Sequence, residues 1–283
     1  MTVGLLAIST AAIFIKLCHD APPVVIAAAR LLVATSALAV GGAARRGTLL
    51  AVPAGHGKYV VLSGLFLAAH FLFWVSSLKL TSVLSSVVLV TINPLFVSVA
   101  SFFLFKEPMH RGLIAGLALA GVGVGLISWS DAGAAPASLY GNLLALGGAV
   151  MASAYFLVGR KLRREMGILS YSFTVNGVAA LLLGGLTLLQ GHPLAGYAGR
   201  TYLCLVLLGL VPQLLGHGSL NWALRHVSAT TVSVFILAEP IGASLFAYFV
   251  LGESISTAQG VGGGLILAGI VIAARDASTG SGK

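Results

Sequence analysis

Residues 77–127 read SLKLTSVLSSVVLVTINPLFVSVASFFLFKEPMHRGLIAGLALAGVGVGLI, and residues 223–273 read ALRHVSATTVSVFILAEPIGASLFAYFVLGESISTAQGVGGGLILAGIVIA. The two stretches align without a gap when residue 77 is placed on residue 223. Matches of leucine and valine mean little in apolar sequence, but some matched pairs are proline, glutamate and glycine: Pro94 with Pro240, Glu107 with Glu253, Gly116 with Gly262 and Gly123 with Gly269. The chain therefore contains an internal repeat.

The composition identifies the class of protein in which this repeat occurs. Of the 283 residues, 58% are hydrophobic and only 8% are Asp, Glu, Lys or Arg, whereas soluble domains carry about 25% charged residues. So few charges cannot coat a water-exposed surface. A soluble enzyme and a nucleic-acid-binding protein are thereby excluded, and we predict a polytopic membrane protein.

Apolar runs bounded by charge, proline or glycine predict ten membrane-spanning helices. We number them spans 1 to 10, at residues 3–18, 24–43, 59–78, 82–104, 110–130, 139–159, 170–190, 200–220, 228–250 and 256–274. The two repeats, 1–130 and 139–275, then hold five spans each. Because five is odd, the second repeat enters the membrane from the opposite side, so the all-α fold is a 5+5 inverted repeat.

Basic residues are divided unequally between the two sets of loops. One set holds twelve Lys and Arg residues between Arg45 and Lys283, and the other holds only Lys16, Lys79 and Arg200. Cytoplasmic loops carry the excess of positive charge. We therefore predict that both termini are cytoplasmic.

Four features of the quoted stretches resemble the EamA domain of the drug/metabolite transporter superfamily. They are a basic residue two positions before Thr-Ser or Val-Ser, a mid-span proline, a glutamate after the fourth span of each repeat, and a glycine-rich fifth span. The resemblance covers nearly the whole chain as tandem domains, with a looser similarity to bacterial aromatic amino-acid exporters. It implies a ten-helix transporter whose central cavity is formed mainly by spans 1, 3, 4, 6, 8 and 9.

Polar residues at helical spacing identify a candidate substrate site. Phe66, His70 and Trp74 lie four apart in span 3, and Gln213, His217 and Asn221 have the same spacing in span 8, the counterpart of span 3. Such residues face the interior of a membrane bundle. The predicted substrate-binding residues are His70, Trp74, Asn93, Tyr155, Gln213, His217 and Asn221. The alternatives are interhelical hydrogen bonds for the polar face residues and an interfacial aromatic belt for Tyr155.

Pro94 and Pro240 lie at matched positions inside spans 4 and 9, directly after Asn93 and Glu239. Proline removes a helical hydrogen bond and kinks the helix, so we predict a paired hinge or gate. Glu239 is a candidate for proton coupling, because burial favours the protonated form of a carboxyl group. The alternative is that the Glu-Pro pair serves the fold alone.

Other intramembrane residues receive structural interpretations. We expect Lys16 and Arg30 to snorkel to the interface, with no substrate contact for Arg30, and Asn142 and Asn176 to be packing residues. Two ridges of small residues predict close helix contacts: Gly112, Gly116 and Ala120 in span 5, and Gly260, Gly264 and Ala268 in span 10.

The sequence thus predicts a secondary transporter that exports small metabolites, with aromatic and other apolar amino acids favoured, across the bacterial inner membrane. No Walker A, GxSxG or HExxH motif occurs, so no enzymatic activity, cofactor or metal site is expected. The expected partners are the substrate and the lipid bilayer, without nucleic acid and without a required oligomer. The alternatives are a multidrug or other metabolite transporter of the same superfamily and, less favoured, an intramembrane enzyme.

Overall fold

The computed structural model describes residues 2–42, 46–105, 111–223 and 236–280, and every regular element in these ranges is helical. The α-helices are α1 (Thr2–Ser9), α2 (Ala11–Leu17), α3 (Pro23–Gly41), α4 (Arg46–Leu49), α5 (Gly57–Leu80), α6 (Val83–Val90), α7 (Asn93–Phe105), α8 (Arg111–Ala134), α9 (Pro136–Glu165), α10 (Ile168–Leu189), α11 (Gly199–Leu208), α12 (Gly218–Ala223), α13 (Glu239–Phe246) and α14 (Thr257–Gly280). Two π-helical stretches, Gly209–His217 and Ala247–Leu251, follow α11 and α13.

Eight helical segments of 19 to 29 residues are long and apolar enough to cross a membrane, which takes about 20 residues. Two shorter apolar segments, Thr2–Leu17 and Glu239–Leu251, occupy the places of spans 1 and 9. The beginning of span 9 lies outside the described residues. The membrane-protein prediction is thus confirmed, whereas the count of ten crossings stays a prediction.

Proline, serine and glycine mark helix boundaries along the chain. Pro23 and Pro136 begin α3 and α9, where the missing N–H of proline is not needed. The Ser82 hydroxyl caps α6 by accepting the Ser85 N–H at 3.1 Å. Gly252 has φ +68° after the second π-helical stretch, a conformation that glycine adopts without a steric cost.

Large apolar side chains cover the outside of the bundle. Trp129, Leu181 and Phe249 are each at least 75% exposed. A water-soluble surface does not tolerate such contiguous apolar exposure. The surface is therefore suited to contact with lipid.

Contacts between helices occur in matched pairs. Each contact has a counterpart in which every helix is replaced by the corresponding helix of the other half. Helix α5 packs on α9, and the corresponding Gly209–His217 stretch packs on α1. Likewise α10 packs on α5, while the Gly209–His217 stretch packs on α3. Spans 1–5 match spans 6–10 in the repeat, so each contact is the counterpart of another. This is the pattern that a twofold relation between the halves requires.

Helices α8 and α14 pack backbone to backbone through reciprocal glycines. A Cβ atom at Gly116 would lie 2.5 Å from the Gly269 carbonyl oxygen, and one at Gly123 would lie 2.5 Å from the Gly262 carbonyl oxygen. Cβ atoms at Gly269 and Gly262 would meet the carbonyl oxygens of Gly116 and Gly123 in the same way. Because Gly116 aligns with Gly262, exchange of the halves converts one pair into the other.

The small-residue ridge predicted for span 10 is wrong. Gly260, Gly264 and Ala268 are exposed on the outside of α14. The contact with α8 uses Gly262 and Gly269, which are seven residues apart and lie on another face of the helix. The ridge predicted for α8 is buried, and its central residue Gly116 makes the contact described above.

One end of the bundle, here called the first end, consists of residues 18–22, 81–82, 190–198 and 252–256. The Lys16 ammonium lies 3.1 Å from Glu253 Oε1 and donates to the Thr81 carbonyl oxygen at 2.8 Å. The other oxygen of Glu253 accepts the Val83 N–H at 2.8 Å. The Lys16 ammonium thus lies at the first end of the bundle, where its charge is paired with a residue of the other half.

A buried hydrogen-bond network lies just inside the first end. The Asp131 carboxylate is only 3% exposed and accepts the Asn142 amide at 2.8 Å, the Gln259 amide at 2.7 Å and the Thr81 hydroxyl at 3.2 Å. Residues of α8, α9 and α14 are joined in this way. Asn142 is thus a structural residue, as expected, and acts by holding Asp131.

Candidate functional site

A cavity of about 280 Å³ lies inside the helix bundle, and residues of both halves line it. The first half contributes side chains of α1, α3, α5 and the segment from Val90 to Asn93. The second half contributes α9, α10, the Gly209–His217 stretch and the segment from Ile236 to Glu239. The resemblance implied a cavity formed mainly by spans 1, 3, 4, 6, 8 and 9. Spans 2 and 7 also line it, because α3 and α10 both pack against α5.

The cavity extends toward the end of the bundle opposite the first end. This second end holds residues 46–56 and 166–167, where the Ser170 hydroxyl donates to the Ala51 carbonyl oxygen at 2.9 Å. Leu38, near the end of α3, and Ile168 and Leu169, which begin α10, line the cavity there. None of the described lining residues belongs to the first end. The described lining residues therefore lie away from the polar contacts around Lys16.

The structure brings together most of the residues predicted to bind substrate. The residues of that set that line the cavity are His70, Trp74, Asn93, Tyr155, Gln213 and His217, and the predicted coupling residue Glu239 lines it too. The side chain of Asn221 lies outside the described residues. Spatial convergence is thus observed, while the binding role of these residues is taken up below as a proposal.

Helix α5 presents an aromatic face to the cavity. The rings of His70 and Trp74 are nearly parallel, with centroids 6.2 Å apart and an interplanar angle of 9°. The Phe71 ring meets the His217 ring edge-on at 6.3 Å. Phe66 does not line the cavity, contrary to the predicted face. The face instead runs through Leu67, which is one position further along the helix.

His70 is held by a backbone carbonyl group. Its Nδ1 atom lies 2.9 Å from the Gly148 carbonyl oxygen of α9. A carbonyl oxygen only accepts, so Nδ1 carries the hydrogen and donates it. In the neutral ring Nε2 is then free to accept a hydrogen bond. His70 thus supplies a fixed acceptor, and its ring orientation is set by α9.

Both proline-containing spans are broken beside the cavity. Helix α6 ends at Val90 and α7 begins at Asn93, with Pro94 in its first turn. Helix α13 begins in the same way at Glu239, followed by Pro240. Asn93 and Glu239 line the cavity. Discontinuous helices of this kind occur at the substrate sites of transporters, where freed backbone groups face the cavity.

Gln213 and His217 both lie in the π-helical stretch Gly209–His217, which contains Pro212. Short π-helical segments occur frequently at functional sites. The stretch departs from α-helical geometry, yet both side chains still line the cavity. The four-residue spacing therefore predicted the shared face correctly but gave no sign of the local backbone geometry.

Arg30 is the main residue that the sequence interpretation missed. It was expected to snorkel outward, but the side chain is 0% exposed. Its Nε–H donates to Gln213 Oε1 at 2.7 Å, and its Cζ lies 4.2 Å from the centroid of the Phe71 ring. Helix α3 packs against α5, α10 and the π-helical stretch, so Arg30 points into the bundle and not toward lipid. Arg30 therefore lies directly behind two residues of the cavity wall.

Asn176 was also misassigned, since it lines the cavity and is not only a packing residue. A lone asparagine in an apolar run gave no signal for this, because its helix was expected to be peripheral. Tyr155 contacts Tyr171 at a centroid distance of 6.3 Å. Tyr155 therefore contributes an aromatic ring of α9 to the cavity wall.

The cavity offers aromatic walls, uncharged polar groups and one carboxyl group. Among the described residues, neither histidine of the cavity is hydrogen-bonded to a hydroxyl or thiol group. No three His, Cys, Asp or Glu residues of the described ranges lie close enough together to hold a metal ion. The arrangement is suited to enclosing a small molecule, and it lacks an activated nucleophile within the described part of the chain.

A family model described as the EamA-like transporter family matches residues 1–129 and 139–275. The chain belongs to this family. Two proteins of Archaeoglobus fulgidus, each named an uncharacterized transporter, are 25% and 27% identical to it over 203 and 210 residues. These alignments cover 72% and 73% of this chain and 71% and 72% of the relatives.

A solved crystal structure has the same fold as this member of the EamA-like transporter family. It superposes with a TM-score of 0.70 at 22% identity, over 96% of this chain and 95% of the other. Membership of the EamA-like family makes the chain a membrane transporter. The names of its relatives give no substrate.

Proposed function

We propose that the protein is a secondary transporter that exports small metabolites across the bacterial inner membrane by alternating access, with aromatic and other apolar amino acids as substrates. The observation that carries the proposal is the cavity, because it lies inside the bundle and is lined by residues of both halves. Substrate sites at the interface of two repeats are characteristic of secondary transporters.

The size of the cavity is sufficient for a small metabolite. Pockets for drug-sized ligands have volumes of about 300–1,000 Å³, and this cavity of about 280 Å³ lies just below that range. A single amino acid is matched to such a space.

The chemistry of the lining supports an amphiphilic substrate. Phe71 and Trp74 present apolar rings, and Gln213 and Asn176 offer amide donors and acceptors. None of the described lining residues is Lys or Arg, whereas phosphate groups are recognised by several basic side chains. An aromatic amino acid has both an apolar ring and polar groups to match this lining.

Alternating access requires two states that expose the cavity in turn. The contacts of Lys16 and Asp131 hold the first end together, and the cavity reaches the second end. With the orientation that the basic loops predict, this is a state facing the cytoplasm. The breaks before Pro94 and Pro240 then act as paired hinges, and Glu239 is the candidate to carry a coupled proton.

Flux in proteoliposomes tests the proposal. We expect the purified wild-type protein to catalyse counterflow of labelled L-phenylalanine. Trp74→Ala and His217→Ala should each lower the flux at least about tenfold, since each removes a side chain of the cavity wall. The measurement is repeated with and without a proton gradient, and Glu239→Gln should abolish any effect of that gradient.

Matched controls come from residues of the same type outside the cavity. Trp129→Ala and His19→Ala alter exposed side chains and should leave the flux unchanged. Flux that survives both cavity substitutions would place the pathway elsewhere. Absence of flux for every amino acid tested would contradict the proposed substrate class and favour another metabolite or a drug.

A further inference from the structure

Arg30 is a buried cation whose hydrogen-bonding capacity is mostly unused. The guanidinium group has five N–H donors, and only Nε–H is bonded, to Gln213 at 2.7 Å. Nη1 and Nη2 have no hydrogen-bond partner among the described residues. A buried charge of this kind is costly unless it is paired. An acceptor group is therefore missing at this position.

A third unpaired donor lies beside Arg30. The Nε1–H of Trp74 is buried without a partner, and the Arg30 Cζ lies 5.6 Å from the Trp74 ring centroid. Trp74 lines the cavity. The unused groups on this part of the wall are all donors, so the missing group accepts hydrogen bonds and has negative charge.

No side chain of the described residues places an acceptor within hydrogen-bonding distance of Nη1 or Nη2 of Arg30. Arg30 forms no ion pair with a carboxylate in the described ranges. Glu239, which lines the same cavity, interacts with Arg30 only at longer range. The faces of Phe71 and Trp74 flank the guanidinium through cation–π contacts, which stabilise a cation but leave its N–H groups unpaired.

We propose that Arg30 is the specificity-determining residue that binds the carboxylate of the transported substrate, assisted by the Nε1–H of Trp74. Gln213 positions the guanidinium group from the cavity wall. Phe71 contacts both the guanidinium and the cavity, so the carboxylate reaches Arg30 when the Phe71 ring is displaced. The inference rests on the proposed function, and it narrows the substrate to compounds with a carboxylate.

The geometry of the donors agrees with a carboxylate. A guanidinium group and a carboxylate form two parallel hydrogen bonds, and such charge-assisted bonds are about twice as strong as neutral ones. A single arginine also matches one negative charge. A substrate that lacks the carboxylate would leave the buried donors unpaired, and the site would reject it.

Binding of two probes to the purified protein, measured by calorimetry, tests the inference. L-phenylalanine and phenethylamine have the same ring and amine, but only phenylalanine has a carboxylate. We expect the wild type to bind phenylalanine at least about tenfold more tightly. Arg30→Gln should remove this preference by weakening phenylalanine binding, while phenethylamine binding is retained and shows that the variant is folded.

A second variant covers the case in which Arg30→Gln does not fold. Gln213→Leu keeps the guanidinium but removes its partner, so it should reduce the preference for phenylalanine more than it changes phenethylamine binding. Equal affinity of the wild type for both probes would overturn the inference and leave the proposed function standing. An equal, partial weakening of both probes in Arg30→Gln or Gln213→Leu would likewise overturn it, because a variant that still binds phenethylamine is folded. Wild-type protein that binds neither probe would contradict the proposed substrate class itself.

Discussion

Asp20 anchors the start of α11 to the loop between α2 and α3. Its carboxylate accepts the Ala198 N–H at 2.7 Å and the Thr201 hydroxyl. These hydrogen bonds, with that of Thr201 the larger cause, hold the pKa of Asp20 below its ordinary value of 3.8. The charged form is therefore favoured in the folded protein.

This pKa shift predicts a pH dependence of thermal stability. A carboxyl group with a lowered folded-state pKa stabilises the protein above its unfolded pKa, and the contribution is lost as pH falls through the folded pKa. Asp20→Asn should therefore lower the melting temperature at pH 7, and the difference from wild type should shrink below about pH 4. Differential scanning fluorimetry in detergent measures both.

Thr201→Val provides the matched control, since it removes the main donor and leaves Asp20 in place. Its effect at pH 7 should not add to that of Asp20→Asn, because both changes break the same contact. A difference between Asp20→Asn and wild type that stays constant from pH 7 to pH 3 would contradict the role of the Asp20 charge.

Single residues show where sequence interpretation reaches its limit. His70 and His217 could be predicted to converge, because polar residues in a membrane point inward and their spacing defines a face. Arg30 could not, because an arginine inside a span has two outcomes of similar plausibility, snorkelling to the interface or burial. Which one occurs depends on the neighbours of α3, and a single helix does not encode its neighbours.

At the scale of elements, the contact between α8 and α14 depends on the absence of Cβ atoms. A Cβ at Gly116 would lie 2.5 Å from the backbone oxygen of Gly269, and a backbone atom cannot move aside as a side chain does. Gly116→Ala should therefore destabilise the protein by about 1–3 kcal/mol, the usual range for overpacking. Thermal unfolding or denaturant titration in detergent measures the loss.

Gly125→Ala is the matched control on the same helix, because a Cβ at Gly125 meets no atom within 4 Å. It should be neutral or slightly stabilising, since alanine is a better helix former than glycine. Equal destabilisation by both substitutions would contradict the prediction, because only the Cβ atom at position 116 meets the backbone of α14.

Elements were predictable where a residue enforces the backbone geometry. Pro94 and Pro240 predicted the interruptions of spans 4 and 9, because proline cannot continue a helix hydrogen-bond ladder. The π-helical geometry around Gln213 has no comparable signal, since Pro212 is compatible with a kink of several kinds. The ridge on α14 was misassigned because glycines at four-residue and seven-residue spacing both occur, and only the partner helix selects between them.

At the scale of the whole molecule, the ion pair between Lys16 and Glu253 joins the two halves of the chain at the first end. Both side chains are roughly a quarter exposed, at 22% and 24%, so solvent screening limits the pair to about 1 kcal/mol. A change of that size shifts a two-state equilibrium about fivefold. Lys16→Met or Glu253→Gln should shift the protein toward a state that is open at the first end.

Cys18 reports this opening. The thiol is 0% exposed beside the first end, so maleimides do not reach it while this end keeps its contacts. Lys16→Met and Glu253→Gln should each raise the rate of Cys18 modification about fivefold. Cys18→Ala identifies the modified site. His56→Ala, which removes the contact between His56 Nε2 and Glu165 at the second end, should leave the rate unchanged. An unaltered rate of Cys18 modification in both Lys16→Met and Glu253→Gln would show that the ion pair does not hold this end closed.

The internal repeat in the sequence predicts two equivalent halves. Matched proline and glycine positions implied equivalent halves, and the paired helix contacts agree with that relation. The network around Asp131 could not be predicted, because Asp131, Asn142 and Gln259 are far apart in sequence and come together only when α8, α9 and α14 are packed.

The glycine contact between α8 and α14 cannot form until α14 has been synthesised. Everything between Ala134 and Thr257 must be synthesised before α14 exists, which takes roughly 6–25 s at usual elongation rates of about 5–20 residues per second. Throughout that interval Gly116 and Gly123 face lipid or the insertion machinery without their partner helix. The nascent chain therefore remains in the membrane during this delay with the glycine face of α8 unpaired.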